Sequence, residues 1–258
     1  MMMAAGLLAW ASPASATKVN LEITNLSQSD GLYFTPVWVG FHDGNFDLFN
    51  SGETASASLE ALAEGGDTSG VSSDFGASAN IGAVETTITS PGGFAPLPVF
   101  DPMETVSTMF DLDALTSGYL TFASMIIPSN DGFFGNMDAI SLFDSEGNFV
   151  GVELTIFSDM IWDAGTEVND GLGAPFSVLG GVSTDEGGTI QLHSGLATLA
   201  GTETAAGTIL GDYVGDFSER FAVARITISQ VPEPAMLSLM GLGVAGLLGL
   251  SRRRRQLA

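Results

Sequence analysis

Residues 122–170 read FASMIIPSNDGFFGNMDAISLFDSEGNFVGVELTIFSDMIWDAGTEVND, and their pattern decides the fold class. Residues 122–127 are an apolar run of strand length and strand composition. Pro128 stops it, and Ser129, Asn130, Asp131 and Gly132 make a polar loop. Two more strand-like runs, 139–143 and 149–157, flank a turn of Asp144, Ser145, Glu146, Gly147 and Asn148. That turn reads as a hairpin rather than an EF-hand loop, because Phe149 stands where the EF-hand needs glycine. The sequence Asp163-Ala164-Gly165-Thr166-Glu167 follows. In an antiparallel sheet alternate loops collect at one edge, which would let Asp131 and Asp163 meet. Carboxylates that meet repel one another unless a cation lies between them, and a hard, oxygen-seeking ion such as calcium fits best. The plainer alternative is that these acids cap turns and face solvent.

Outward from this stretch the chain stays strand-like. Residues 18–26, KVNLEITNL, alternate apolar and polar as a half-buried strand does. Residues 32–41 form the next strand, with Pro36 placing part of it at an edge or bulge. Residues 56–64 read as the one helix: Ser56 or Ser58 caps it, Leu59, Leu62 and Ala63 make its apolar face, and Gly65-Gly66 ends it. Residues 67–83 are Gly/Ser-rich and read as a loop, and 90–102 as a proline-rich loop. Strands are expected over 85–89, 105–113, 189–192 and 221–229, the last with an alternation that slips near Ala224. His42 reads as a solvated turn residue and His193 as lacking an obvious partner. The expected fold is all-β: an antiparallel β-sandwich of about eight strands with one short helix, plus a hydrophobic helix at the C-terminus.

Charge narrows the function. Residues 17–231 hold 29 acids against three bases (Lys18, Arg220 and Arg225), a net charge of −26. Such a surface repels nucleic acid and anionic lipid and favours divalent cations, or cationic or neutral partners; the plainer alternative is that it serves solubility alone. The chain has no cysteine and two histidines, so disulfides and thiolate chemistry are excluded and nucleophilic catalysis is disfavoured. No GxSxG, HExxH or P-loop occurs.

The stretch IPSND followed some thirty residues later by DAGTE resembles the spondin N-terminal domain. So do Phe34-Thr35-Pro36-Val37 and the segment carrying Ala55, Ser56, Leu59, Glu60, Leu62, Ala63 and Glu64. The resemblance covers roughly residues 18–229 and implies a calcium-binding, C2-like β-sandwich of extracellular and surface proteins. It implies a Ca²⁺ site built from a carboxylate of the preceding strand and the aspartates of the two motifs: Asp113, Asp131 and Asp163. Asp111 is an alternative to Asp113, and Asp138 and Glu167 are secondary ligand candidates.

The ends carry sorting signals. Residues 1–16 read as a secretory signal peptide: a short apolar core, then Ala14-Ser15-Ala16, with no Lys or Arg before the core. At the other end Pro232, Glu233 and Pro234 precede an apolar run, 235–250, and then Arg252, Arg253, Arg254 and Arg255. This order resembles the PEP-CTERM sorting signal of bacteria that export polysaccharide, and the resemblance implies processing by an exosortase. Three regions are thus expected: 1–16, 17–230 and 231–258. Export, anchoring in the inner membrane through the C-terminal helix, then release or transfer to the cell surface are expected in turn. The expected role is a non-enzymatic, calcium-binding surface module, adhesive or associated with exopolysaccharide or surface proteins. The alternatives are a polysaccharide-acting hydrolase on a sandwich fold, and a metal-free structural surface protein.

Overall fold

The computed structural model describes residues 16–92 and 98–232. Twelve strands and two α-helices lie among them. The strands are β1 (Thr17–Asn25), β2 (Tyr33–Phe34), β3 (Val37–His42), β4 (Val84–Ile88), β5 (Thr105–Leu112), β6 (Tyr119–Ile127), β7 (Gly132–Gly135), β8 (Ile140–Ser141), β9 (Val152–Phe157), β10 (Trp162–Asp163), β11 (Gln191–Leu192) and β12 (Ala222–Gln230). The helices are α1 (Ala57–Gly65) and α2 (Ser69–Ser78). One sheet has the order β5-β1-β12-β9. The larger has the order β11-β10-β7-β6-β3-β4, with β2 and β8 also paired to β6. Adjacent strands in both sheets run antiparallel. The expected antiparallel two-sheet fold is therefore present.

The alternation in the sequence decides what the sheets bury. Val19, Leu21 and Ile23 of β1 and Val223, Ile226 and Ile228 of β12 join Val37, Val39, Phe41, Phe122, Ile126 and Phe134 of the larger sheet in one core. Strand β5 shows the expected two-residue period, with Met109 on its outer face 64% exposed. The slip near Ala224 is a β-bulge: the β12–β9 register shifts between Ala222 and Ala224. The far face of the larger sheet is covered by the helices, where Trp38, Ala123 and Phe133 pack with Leu59, Leu62, Ala63, Val71 and Phe75.

Helix α1 forms as expected. Ser56 caps it by accepting the Leu59 N–H, and Gly66, at φ 68°, closes it. Several expectations need correction. The Gly/Ser-rich segment read as a loop contains α2, because Val71 and Phe75, one turn apart, bury against Trp38 and override a weak local propensity. The single strand expected over 32–41 is split at Thr35-Pro36 into β2 and β3, both paired to β6. The loop expected after Pro128 runs at Gly132 into β7, hidden from pattern reading by its four-residue length, FF flanked by glycines. Strand 139–143 shrinks to β8 and a Phe143–Phe149 bridge. The expected signal peptide and C-terminal hydrophobic helix lie outside the described residues, apart from Ala16, Val231 and Pro232. Among the described residues no helix is long and apolar enough to cross a membrane.

Candidate functional site at the Asp131 and Asp163 turns

The segment leaving β6 folds as a polar staple. Ser129 Oγ donates to the Ile126 carbonyl at 2.7 Å and accepts the Gly132 N–H at 3.0 Å. Asn130 accepts the Gly171 N–H at 2.9 Å and donates to the Leu172 carbonyl at 3.0 Å. Asp131 is fully buried. Its Oδ2 accepts the N–H of Thr166 at 2.8 Å, the Thr166 hydroxyl at 3.2 Å and the Glu167 N–H at 3.1 Å. Its Oδ1 is buried and has no hydrogen-bond partner. Burying such an acceptor without a partner costs about 1–3 kcal/mol, so this atom asks for a ligand.

Asp163 arrives from β10, whose backbone pairs Asp163 with Gly132 of β7 and with Gln191 of β11. It is 6% exposed. Its Oδ1 accepts the Gly165 N–H at 2.7 Å, and its Oδ2 accepts from Asn169 at 3.0 Å. Gly165 has φ 71°, and a Cβ there would lie 2.6 Å from the Thr189 nitrogen. Only glycine fits this turn without strain. Burial pushes the Asp163 carboxyl up to about 6, and the charge of Asp131 pushes the same way. A third acid, Glu167, is also buried, and its carboxylate accepts a long hydrogen bond from Asn130 at 3.5 Å.

The surrounding charge is negative. Glu64, at the C-terminal end of α1, is raised by burial; a hydrogen bond with Thr166 opposes this, and Glu167, Glu60 and Asp131 reinforce it. Glu186 acts on Asp163 in the same sense. Glu64 lies within the motif that carries the family resemblance, yet its position beside this cluster needs the α1–sheet packing to be seen. His193 is not without partners. It is buried, Nδ1 accepts the Gly195 N–H at 3.0 Å, and Nε2 meets Asn169 Oδ1 at 3.0 Å. Burial holds its pKa down at about 4, against the pull of Asp131. His42 is likewise not solvated: it is fully buried, with Nε2 3.0 Å from the Thr121 hydroxyl.

Of the sequence candidates, Asp131, Asp163 and Glu167 share this corner. Asp113 does not. It lies in the turn entering β6 at Tyr119, whereas Asp131 lies in the turn leaving β6 beyond Ile127. Nine strand residues separate those turns, about 26 Å at the usual rise. Asp113 Oδ1 instead caps its own turn, accepting from the N–H groups of Leu115 at 2.9 Å and Thr116 at 3.2 Å. Asp111 pairs with Lys18 at 3.2 Å, both side chains exposed. Asp138 is at the Asp113 end, since Asn136 beside it donates to the Leu120 carbonyl. The strand that precedes β6 belongs to the other sheet, which is why its acids miss the corner. Among the described residues no three His, Asp or Glu side chains form a ready-made metal cage.

Comparison with known families places a PEP-CTERM protein-sorting motif at residues 230–255. That motif implies export and processing by an exosortase; of its candidate residues Pro232 alone lies among those described, while Glu233, Pro234 and Arg252 to Arg255 lie outside. No curated protein matches the chain significantly. The family profile named Spondin_N matches residues 25–175, more than half of the chain and the span that holds both aspartate turns. The chain therefore belongs to the Spondin_N family.

Proposed function

We propose that this protein is a non-enzymatic, calcium-binding surface module, sorted by an exosortase and associated with the extracellular matrix or exopolysaccharide. The observation that carries the calcium reading is the buried, unpartnered Oδ1 of Asp131 beside Asp163. Every candidate donor here is oxygen, which suits a hard cation. Asp131 and Asp163 would hold the ion, with Glu167 close enough to join them by a side-chain movement and backbone carbonyls and water completing six to eight oxygens. A bound calcium would supply the positive charge these acids lack. The chain's own part is to hold the two turns together: Asp131 Oδ2 fastens the 163–167 turn, and Asn130 fastens 171–172. Hydrolysis of a glycoside needs two carboxylates aimed at substrate. Here Asp131 and Asp163 are buried and hold turn amides, which supports a structural role.

The test is a thermal melt of the full chain with calcium and with chelator, beside an Asp131→Ala/Asp163→Ala double variant. At a hundredfold excess over Kd, binding to the folded state adds about 2.7 kcal/mol, a rise of roughly 5–10 °C for a chain of this size. The variant is expected to show no rise. A wild-type melt indifferent to calcium would overturn the metal reading.

A further inference from the structure

Three turns meet at the Tyr119 end of the sandwich. Asn80 donates to the Thr116 carbonyl at 3.0 Å, which ties the 80–82 turn to the 113–118 turn. The Leu142 N–H donates to the Gly118 carbonyl and the Val150 N–H to the Leu142 carbonyl, both at 2.9 Å, which brings in the 142–150 hairpin. Each turn presents an apolar side chain to solvent: Ile81 is 98%, Leu115 76% and Val150 61% exposed. Other apolar side chains, Val182 and Ile209 among them, are also exposed, but these three lie on turns joined by hydrogen bonds at one end.

The C-terminal tail leaves from the same end. Gln230 closes β12 opposite Val19, and the Val231 N–H donates to the Lys18 carbonyl at 2.8 Å. Thr17 lies opposite Leu112, the residue before Asp113 and its turn. A groove lined by Val150, Gly151, Ser229 and Gln230 joins the hairpin to the exit point. The apolar run 235–250 begins five residues after Gln230. Five extended residues reach at most about 17 Å. A tail anchored through that run therefore holds this end against the lipid headgroups, whose zone is itself some 5–8 Å deep.

We propose that the Tyr119 end of the sandwich lies on the membrane surface, with Ile81, Leu115 and Val150 seated in the lipid interface. The proposal rests on the tail acting as a membrane-anchored sorting signal. Asp43, Asp111, Asp113, Asp138, Asp144 and Glu146 lie at the same end, with Lys18 committed to Asp111, so the fitting surface is zwitterionic lipid. The acidic corner of Asp131 and Asp163 then faces away from the membrane, toward other surface components.

The absence of cysteine makes the test clean. Single cysteines are introduced into the full chain as Ile81→Cys, Leu115→Cys and Val150→Cys. Val182→Cys, on an exposed residue near the acidic corner, and Gly241→Cys, in the tail, serve as references. Each is labelled with an environment-sensitive dye and reconstituted in phosphatidylcholine vesicles carrying headgroup-depth quenchers. Quenching at 81, 115 and 150 is expected to exceed that at 182 at least twofold, with 241 strongly quenched. A quenched 241 with 81, 115 and 150 no more quenched than 182 overturns the proposal alone. An unquenched 241 overturns the anchoring reading, and the proposal falls with it.

Discussion

The two ends of β6 use the same chemistry to opposite effect. At the Tyr119 end, Asp113 accepts the amides of Leu115 and Thr116, two and three residues away, in a turn open to solvent. At the Ile127 end, Asp131 accepts the amides of Thr166 and Glu167, 35 and 36 residues away, with no exposure at all. The first is a local cap that any short acid-bearing turn makes. The second is a long-range staple that closes two strand connections over a buried charge. The difference lies in what each asks of its surroundings. A solvated cap is satisfied by water on its free oxygen, while Asp131 Oδ1 has neither water-facing surface nor donor.

The largest effect is expected where the buried corner depends on backbone shape. Gly165→Ala forces a side chain into φ 71° and against the Thr189 nitrogen at 2.6 Å. A loss of about 3 kcal/mol, or roughly 6–12 °C in Tm, is expected by calorimetry. The exposed Gly147, also at positive φ but with open space around it, supplies the contrast: Gly147→Ala meets only the conformational penalty, about 1–2 kcal/mol. Equal losses at the two glycines would erase the distinction between a packed and a solvated turn.

Acid sensitivity sharpens the same comparison. Asp163 is raised from its ordinary range to about 6, so the folded state binds that proton more tightly than the unfolded chain. Its effect on stability is gained as pH falls from about 6 toward 4. Glu64 is raised and acts in the same direction. His193 is lowered to about 4, so the unfolded chain takes up a proton below pH 6.5 that the folded one refuses. Its effect is a stability lost over the same fall. The two oppose one another, and the calcium-free protein is expected to change little between pH 6.5 and 4.5. Asp163→Asn removes one side of the balance. That variant is expected to lose about 2 kcal/mol on acidification, read from urea midpoints at the two pH values. A flat profile in the variant would show that the buried pair does not control the pH response.

Much of this architecture is legible in the amino-acid sequence. Alternation along 18–26 and 105–113, the Ser56 cap and the glycine stop after Glu64 each follow from local rules, and each element forms where those rules put it. The two aspartate turns are legible because their acids sit at the ends of paired strands. Helix α2 is not, because its stability comes from packing Phe75 against Trp38 and not from the helix propensity of its residues. Neither are the partners of His193, which come from Asn169 and Gly195 in a loop with no periodicity. The assignment of Asp113 to the acidic corner fails for a topological reason. Adjacency in sequence suggests adjacency at the site, but β5 and β6 lie in different sheets, and the turn joining them sits a full strand length from Asp131.

The smallest expected effect bears most directly on that last point. Asp113→Ala removes the acceptor for two turn amides, one exposed and one part-buried, which water can largely replace. The expected cost is about 1 kcal/mol, in line with the loss of a turn or helix cap. The stabilisation by calcium is expected to persist in full, because the substitution lies about 26 Å from Asp131 along β6. The two readouts separate two kinds of acid: one whose loss lowers the melting temperature slightly at every calcium concentration, and one whose loss abolishes the calcium response. If Asp113→Ala were to cancel the calcium shift, the metal would have to sit at the Tyr119 end. The buried Oδ1 of Asp131 would then be a structural cost with no ligand to offset it, and the two ends of the sandwich would exchange roles.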